Sequence, residues 1–167
     1  MTTPLRAILS GVVAGAVGTA LMTAHQELRS RLAPDQPNSQ HDDAEPADPW
    51  ESAPAPAQVA KRGVQGVLGR TLPASAIPLV TQLMHWSYGT AWGAAYAVKR
   101  ESIRACPIAL GPLFGLCVWA ASYVQLVPMG IYQPPWRYPL GSIAAEVAYH
   151  VTYGLGVAVT YESVTRR

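Results

Sequence analysis

Apolar residues in this chain gather in four long runs. They show neither the three-four spacing of a half-exposed helix nor the alternation of a half-buried strand. The first run, residues 5–24, reads LRAILSGVVAGAVGTALMTA and has one charge, Arg6, at its start. The second, 77–98 (IPLVTQLMHWSYGTAWGAAYAV), and the third, 106–127 (CPIALGPLFGLCVWAASYVQLV), have none. The fourth, 140–161 (LGSIAAEVAYHVTYGLGVAVTY), holds a single carboxylate, Glu146. A hydrocarbon core about 30 Å thick is crossed by roughly 20 helical residues rising about 1.5 Å each. All four runs reach that length, so the pattern predicts an all-α chain folded as a bundle of four transmembrane helices. A cleaved signal peptide competes for the first run, but its apolar stretch is long for a signal.

The connection between the first two runs has a different character. Residues 33–58 (APDQPNSQHDDAEPADPWESAPAPAQ) are rich in proline, alanine and acid. Such a segment buries too little apolar area to order itself, so a long disordered first loop is expected. After it, QVAKRGVQGVLGR (Gln58 to Arg70) sets Val59, Val64 and Leu68 near one side. That arrangement predicts a short helix in the membrane interface, loosened by Gly63, Gly66 and Gly69.

Composition sharpens this picture. Half of the 167 residues are hydrophobic and 13% are charged, against about 25% charged in an average soluble domain. Six of the ten acidic residues lie between Asp35 and Glu51, which leaves the apolar runs almost bare of charge. The apolar content excludes a disordered chain, and two cysteines exclude a disulfide scaffold. A net charge of +2 argues against a nucleic-acid partner, which needs a basic face. The expected partner is the lipid bilayer. Arg6, Lys99, Arg100, Arg104, Arg166 and Arg167 sit in short segments near the ends of the runs, which favours cytoplasmic termini and an acidic loop outside.

The second and fourth runs repeat one another. HWSYGTAWGAAY from His85 and HVTYGLGVAVTY from His150 share the histidine, a tyrosine, a glycine and the final tyrosine at an offset of 65 residues. The first and third runs share a weaker pattern, Gly11 and Gly15 against Gly111 and Gly115. Two repeated helical hairpins in the same orientation follow, related by a pseudo-two-fold axis along the membrane normal. Small residues recur four apart in each run: Gly11 and Gly15, Gly89 and Gly93, Gly111 and Gly115, Gly154 and Ala158. In lipid, close backbone approach through small residues supplies the contact between helices. These faces serve packing inside one bundle; the sharper alternative is a homodimer or a partner membrane protein.

The chemistry-bearing residues are few. Glu146 and His150 are four apart and share a helix face, bordered by Tyr149 and Tyr153. A charged side chain at the bilayer centre costs about 2.5–3.5 kcal/mol on insertion scales, so Glu146 is expected to face the bundle. His150 is its nearest candidate partner, followed by His85 and Gln82 across the bundle. Three readings compete: a satisfied network that fixes helix register, a proton or solute pathway, and a haem or metal site using His85 and His150 as facing ligands. No cofactor is predicted, since two histidines are a weak signal and no motif for nucleophile, phosphate loop or zinc is present. No enzymatic role is expected. Cys106 and Cys117 read as small apolar residues, and His25 and His41 as solvated.

GVVAG in the first run, His85 with Tyr96, Pro128-Met129-Gly130 after the third run, and Glu146 with His150 in the fourth resemble the YagU-type family of small bacterial inner-membrane proteins. The resemblance runs through all four apolar runs in order. It implies a helical inner-membrane protein of no established molecular activity, associated with acid tolerance. The acidic loop departs from the basic, proline-rich segment expected there. Together these readings lead to a proton- or pH-linked membrane protein centred on Glu146, His150, His85 and Tyr153. The rival is a non-catalytic scaffold that uses the same residues as glue.

Overall fold

The computed structural model describes residues 3–32, 48–100 and 106–165. Helix α1 (Pro4–Leu32) outruns the first apolar run by two turns. Its polar end is sustained by the Glu27–Arg31 pair, an i,i+4 contact of 2.8 Å, and by side-chain bonds described below. Helix α2 (Ala55–Leu68) starts one turn earlier than expected, where Pro54 precedes it and Pro56 stands in its first turn. Gly69 ends it in the left-handed conformation (φ 61°), which glycine adopts without steric cost. Helices α3 (Ile77–Arg100), α4 (Pro107–Leu126) and α5 (Leu140–Thr165) fall close to the other three runs. Among the described residues these five helices and two single 3₁₀ turns, Ala74–Ala76 and Pro135–Arg137, are the regular structure. The chain is all-α.

The disorder expected over 33–58 is not found over residues 48–58, which are folded. Residues 33–47 lie outside the described residues. From Asp48 the chain is ordered around Trp50, which is buried with Ala53 and Ala57 against Leu72, Ile77 and Val80. The Trp50 N–H donates to Asp48 Oδ1 at 3.0 Å, and Gln58 Nε2 donates to the Ala53 carbonyl at 2.9 Å. Lys61 lies over the Trp50 ring, 5.1 Å from its centroid, and reaches Asp48 at 3.3 Å. One large aromatic side chain gives this segment the apolar area that its composition lacks. Arg62 also donates to the Met129 carbonyl, tying α2 to the α4–α5 connection.

The helices pack as two antiparallel hairpins, α1 on α3 and α4 on α5, joined by α1 against α5. Glycine makes each of these three seams. A Cβ added at Gly15 would stand 2.5 Å from the Gly89 carbonyl oxygen, and one at Gly93 would stand 2.5 Å from the Gly15 Cα. In the second hairpin a Cβ at Gly154 would lie 2.6 Å from the Gly115 nitrogen, and one at Gly111 would lie 3.0 Å from the Gly154 oxygen. Gly11 meets Gly93, and Gly115 meets the His150 backbone, in the same manner. The α1–α5 seam uses Gly18 and Gly156, which the four-apart spacing does not single out: a Cβ on Gly156 would come 3.0 Å from the Gly18 Cα. Where α3 approaches α4 and α5 the gap is wider and rings fill it. Phe114 meets Tyr96 at 4.9 Å and Tyr153 at 6.1 Å between centroids.

The burial pattern is the reverse of a water-soluble bundle. Buried positions are mostly glycine, alanine, serine, threonine and tyrosine, with few large aliphatics among them. Leucine, isoleucine and valine point outward: Leu5 is 67% exposed, Ile108 71%, Val124 74% and Leu140 87%. By length and apolar content, α1 and α4 are able to cross a membrane. Helices α3 and α5, at 24 and 26 residues, have the length. Their histidines, tyrosines and threonines dilute them below that standard.

Candidate functional site

Glu146 lies six residues into α5, about 9 Å from the start of the helix at the usual rise. It is half-buried and faces α4. Its Oε2 accepts a hydrogen bond from the Tyr123 hydroxyl at 2.7 Å and a longer one from Trp119 Nε1 at 3.4 Å. Trp119 and Tyr123 are four apart on α4, so helical geometry stacks them on one face, with rings edge-on at 5.3 Å. Tyr132 and Tyr138, from the α4–α5 connection, pack on Tyr123 at 5.4 and 6.3 Å. The carboxyl therefore sits in an aromatic pocket between the two helices of the second hairpin.

The expected partner, the His150 side chain, lies near enough for the Glu146 charge to act on it. Its ring turns back along its own helix, and its Nδ1 lies 2.7 Å from the Glu146 backbone carbonyl. A carbonyl only accepts, so Nδ1 carries the hydrogen and Nε2 keeps the lone pair. The physical reason is competition within one turn: an imidazole four residues on reaches the i−4 carbonyl more readily than the side chain beyond it.

The other imidazoles gather among α1, α3 and α5. His85 Nε2 lies 3.4 Å from Thr23 Oγ1, and His25 Nδ1 lies 2.9 Å from Thr152 Oγ1. Both threonine hydroxyls already donate to their own helices, Thr23 to the Thr19 carbonyl at 2.9 Å and Thr152 to the Ala148 carbonyl at 3.0 Å. Each must then accept from its histidine, which places the ring hydrogen on Nε2 of His85 and on Nδ1 of His25. His85 also stands near enough to His150 for a charge on one to act on the other.

His25 is therefore not solvated as expected. Helix α1 continues past Ala24 and carries it, half-buried, to Thr152 and to the edge of the Tyr149 ring at 5.0 Å. Tyr149 thus serves His25 rather than Glu146. The Tyr153 hydroxyl is buried and donates to the Gly89 carbonyl at 2.7 Å, linking α5 to α3. Gln82 lies exposed on α3.

Two polar centres result. One is an acid held by a phenol and an indole; the other is a set of three imidazoles held by threonines and a carbonyl. The His150 bond to the Glu146 carbonyl joins them. A carboxyl with a hydroxyl at 2.7 Å, and imidazoles that keep one lone pair each, can take up, hold and release protons. Among the described residues no group of three or more histidine, cysteine, aspartate or glutamate side chains comes together as a metal site needs. Sequence reasoning missed Tyr123, Trp119, Thr23 and Thr152. Comparison of the chain with family models, curated proteins and solved structures finds no match.

Proposed function

We propose that this chain is an integral protein of the bacterial inner membrane and that it works in proton- or pH-linked membrane physiology. Helices α1, α3, α4 and α5 cross the bilayer as two repeated hairpins with cytoplasmic termini, and α2 lies in the interface. The observation that carries the membrane reading is the reversed burial: outward leucines and valines, inward glycines and hydroxyls. In water such a surface drives aggregation. In hydrocarbon it is the favoured arrangement, because helices there associate through small residues and internal hydrogen bonds. The repeat is supported by the equivalent placement of Gly11, Gly15, Gly89 and Gly93 in one crossing and Gly111, Gly115, Gly154 and Ala158 in the other.

The functional centre in this reading is Glu146 with Tyr123, coupled through His150 to His85 and His25. Glu146 is the exchangeable acid, and intramembrane acids and histidines commonly mark proton routes. The resemblance to the YagU-type family, with its link to acid tolerance, belongs to the same proposal. The test is proton flux into liposomes carrying the purified protein, read by an entrapped pH dye. Glu146→Gln keeps the size and hydrogen bonding of the side chain while removing the exchangeable proton, so flux is lost and the fold persists. Wild-type flux in E146Q overturns the relay. The tight glycine seams would then favour the rival, a membrane scaffold whose polar residues act as glue.

A further inference from the structure

Three pairs of residues at the 65-residue offset face one another between α3 and α5. His85 stands near His150 and Tyr88 near Tyr153. The Tyr96 and Tyr161 rings meet edge-on at 5.8 Å. Each pair draws one residue from each hairpin, as an axis running between these two helices requires. Together they form a column of imidazoles and hydroxyls that leads away from Glu146 toward the far end of the bundle.

The column ends on a charged pair. Arg100 Nε donates to Glu162 Oε1 at 2.6 Å, with the two side chains only 18% and 14% exposed. Beside them lies the Tyr96 hydroxyl. Tyr96 is 4% exposed, and its hydroxyl lies by the Arg100 guanidinium without a hydrogen bond of good geometry among the described residues. The ring is fixed by Phe114 of α4 and Tyr161 of α5. The hydroxyl thus stands between an ion pair at the bundle end and a line of polar side chains within.

We propose that Tyr96, Arg100 and Glu162 form a second proton-exchange site, at the end of the bundle opposite Glu146, with the ion pair as its gate. This rests on the proton-handling reading above. Glu162 takes a proton from water at the aqueous end and becomes neutral, which releases Arg100. Glu162 then passes its proton through water to the Tyr96 oxygen as Tyr96 gives its own hydroxyl proton inward, which restores the Glu162 carboxylate and the Tyr96 hydroxyl, with water as carrier between the tyrosine levels. One proton enters as one leaves at the imidazole level, and no covalent bond besides O–H and N–H is made or broken.

The test uses the full chain in proteoliposomes under an imposed pH gradient, with the unfolding temperature followed in detergent. Tyr96→Phe is expected to lower proton flux at least about tenfold, the scale of a lost proton-transfer group. Its unfolding temperature should change little, because the deleted hydroxyl makes only a poorly aligned contact with Arg100. Glu162→Gln, scored on protein that retains native elution, should lose flux as well. A wild type that conducts while Y96F and E162Q conduct equally well overturns this inference and leaves the Glu146 reading standing. A wild type that conducts nothing overturns both.

Discussion

The Tyr123 hydroxyl donates to Glu146 Oε2 at 2.7 Å, and this bond joins the two helices of the second hairpin around an acid. It is also the shortest described polar contact of the Glu146 side chain, so Tyr123→Phe isolates it without changing the ring packing. Loss of one hydrogen bond between membrane helices costs about 1 kcal/mol. A small fall in unfolding temperature, equal in Y123F and in the Y123F/E146Q pair, is expected. A further fall in the pair would mean that Glu146 is held mainly by other groups.

The glycine seams make a sharper prediction. Gly93→Ala puts a methyl 2.5 Å from the Gly15 Cα, with backbone on both sides and nothing flexible to yield. Overpacking of this kind costs about 1–3 kcal/mol. Gly63 and Gly66 on α2 have open space around the same position. Alanine there should be neutral or stabilising by about 0.5–1 kcal/mol, since it has the better helix propensity. Thermal unfolding of the three variants checks both arms, and equal behaviour would refute the seam.

Cysteine accessibility tests the membrane reading directly. Cys106 and Cys117 are both free and exposed on the bundle surface. Cys106 precedes α4, whereas Cys117 sits midway along it among outward residues such as Leu113 and Leu116. In intact membranes a charged maleimide should label Cys106 and leave Cys117 unreacted until the bilayer is dissolved. Equal labelling of both in membranes would place the bundle in water.

Asp48 carries the pH prediction. Its carboxyl is held below the usual range chiefly by the Trp50 N–H, with Lys61 assisting and partial desolvation opposing. A carboxylate with a depressed folded pKa contributes stability at and above its ordinary value, and that contribution fades as pH falls through the depressed one. The turn before α2 should accordingly become more open to limited proteolysis by an acid-active protease as pH falls below the ordinary carboxylate value of 3.8. In Asp48→Asn the amide oxygen still accepts from the Trp50 N–H while the Lys61 pairing is lost, so the same turn should show little pH dependence of its own.

How far the chain could be read in advance depended on which force governs each feature. The helix positions were legible because long uninterrupted apolar runs bounded by polar and proline-rich segments mark helices, and α3, α4 and α5 begin within a residue of the expected limits. The end of α1 was not, since residues 25–32 are helical through Glu27–Arg31 and His25–Thr152 contacts rather than apolarity. The order around Trp50 was hidden by a composition that averages out one decisive ring. Glu146 was legible as an inward acid, but its partners come from another helix. Register could have found them: eight residues back along α5 from Gly154 and eight forward along α4 from Gly115 bring Glu146 opposite Tyr123. The gathering of His25 and Thr23 with His85 required knowing that α1 packs on both α3 and α5.

The seam of Gly18 on Gly156 also bears on how the protein is made. Helix α5 is synthesised after the other four, yet it supplies half of the contact that α1 makes at Gly18. In the membrane reading proposed above, the opening hairpin waits at the insertion machinery with one glycine face bare, and only arrival of the closing helix locks it. Chains halted before residue 140 should consequently be prime substrates for membrane quality-control proteases, even though every earlier helix is intact.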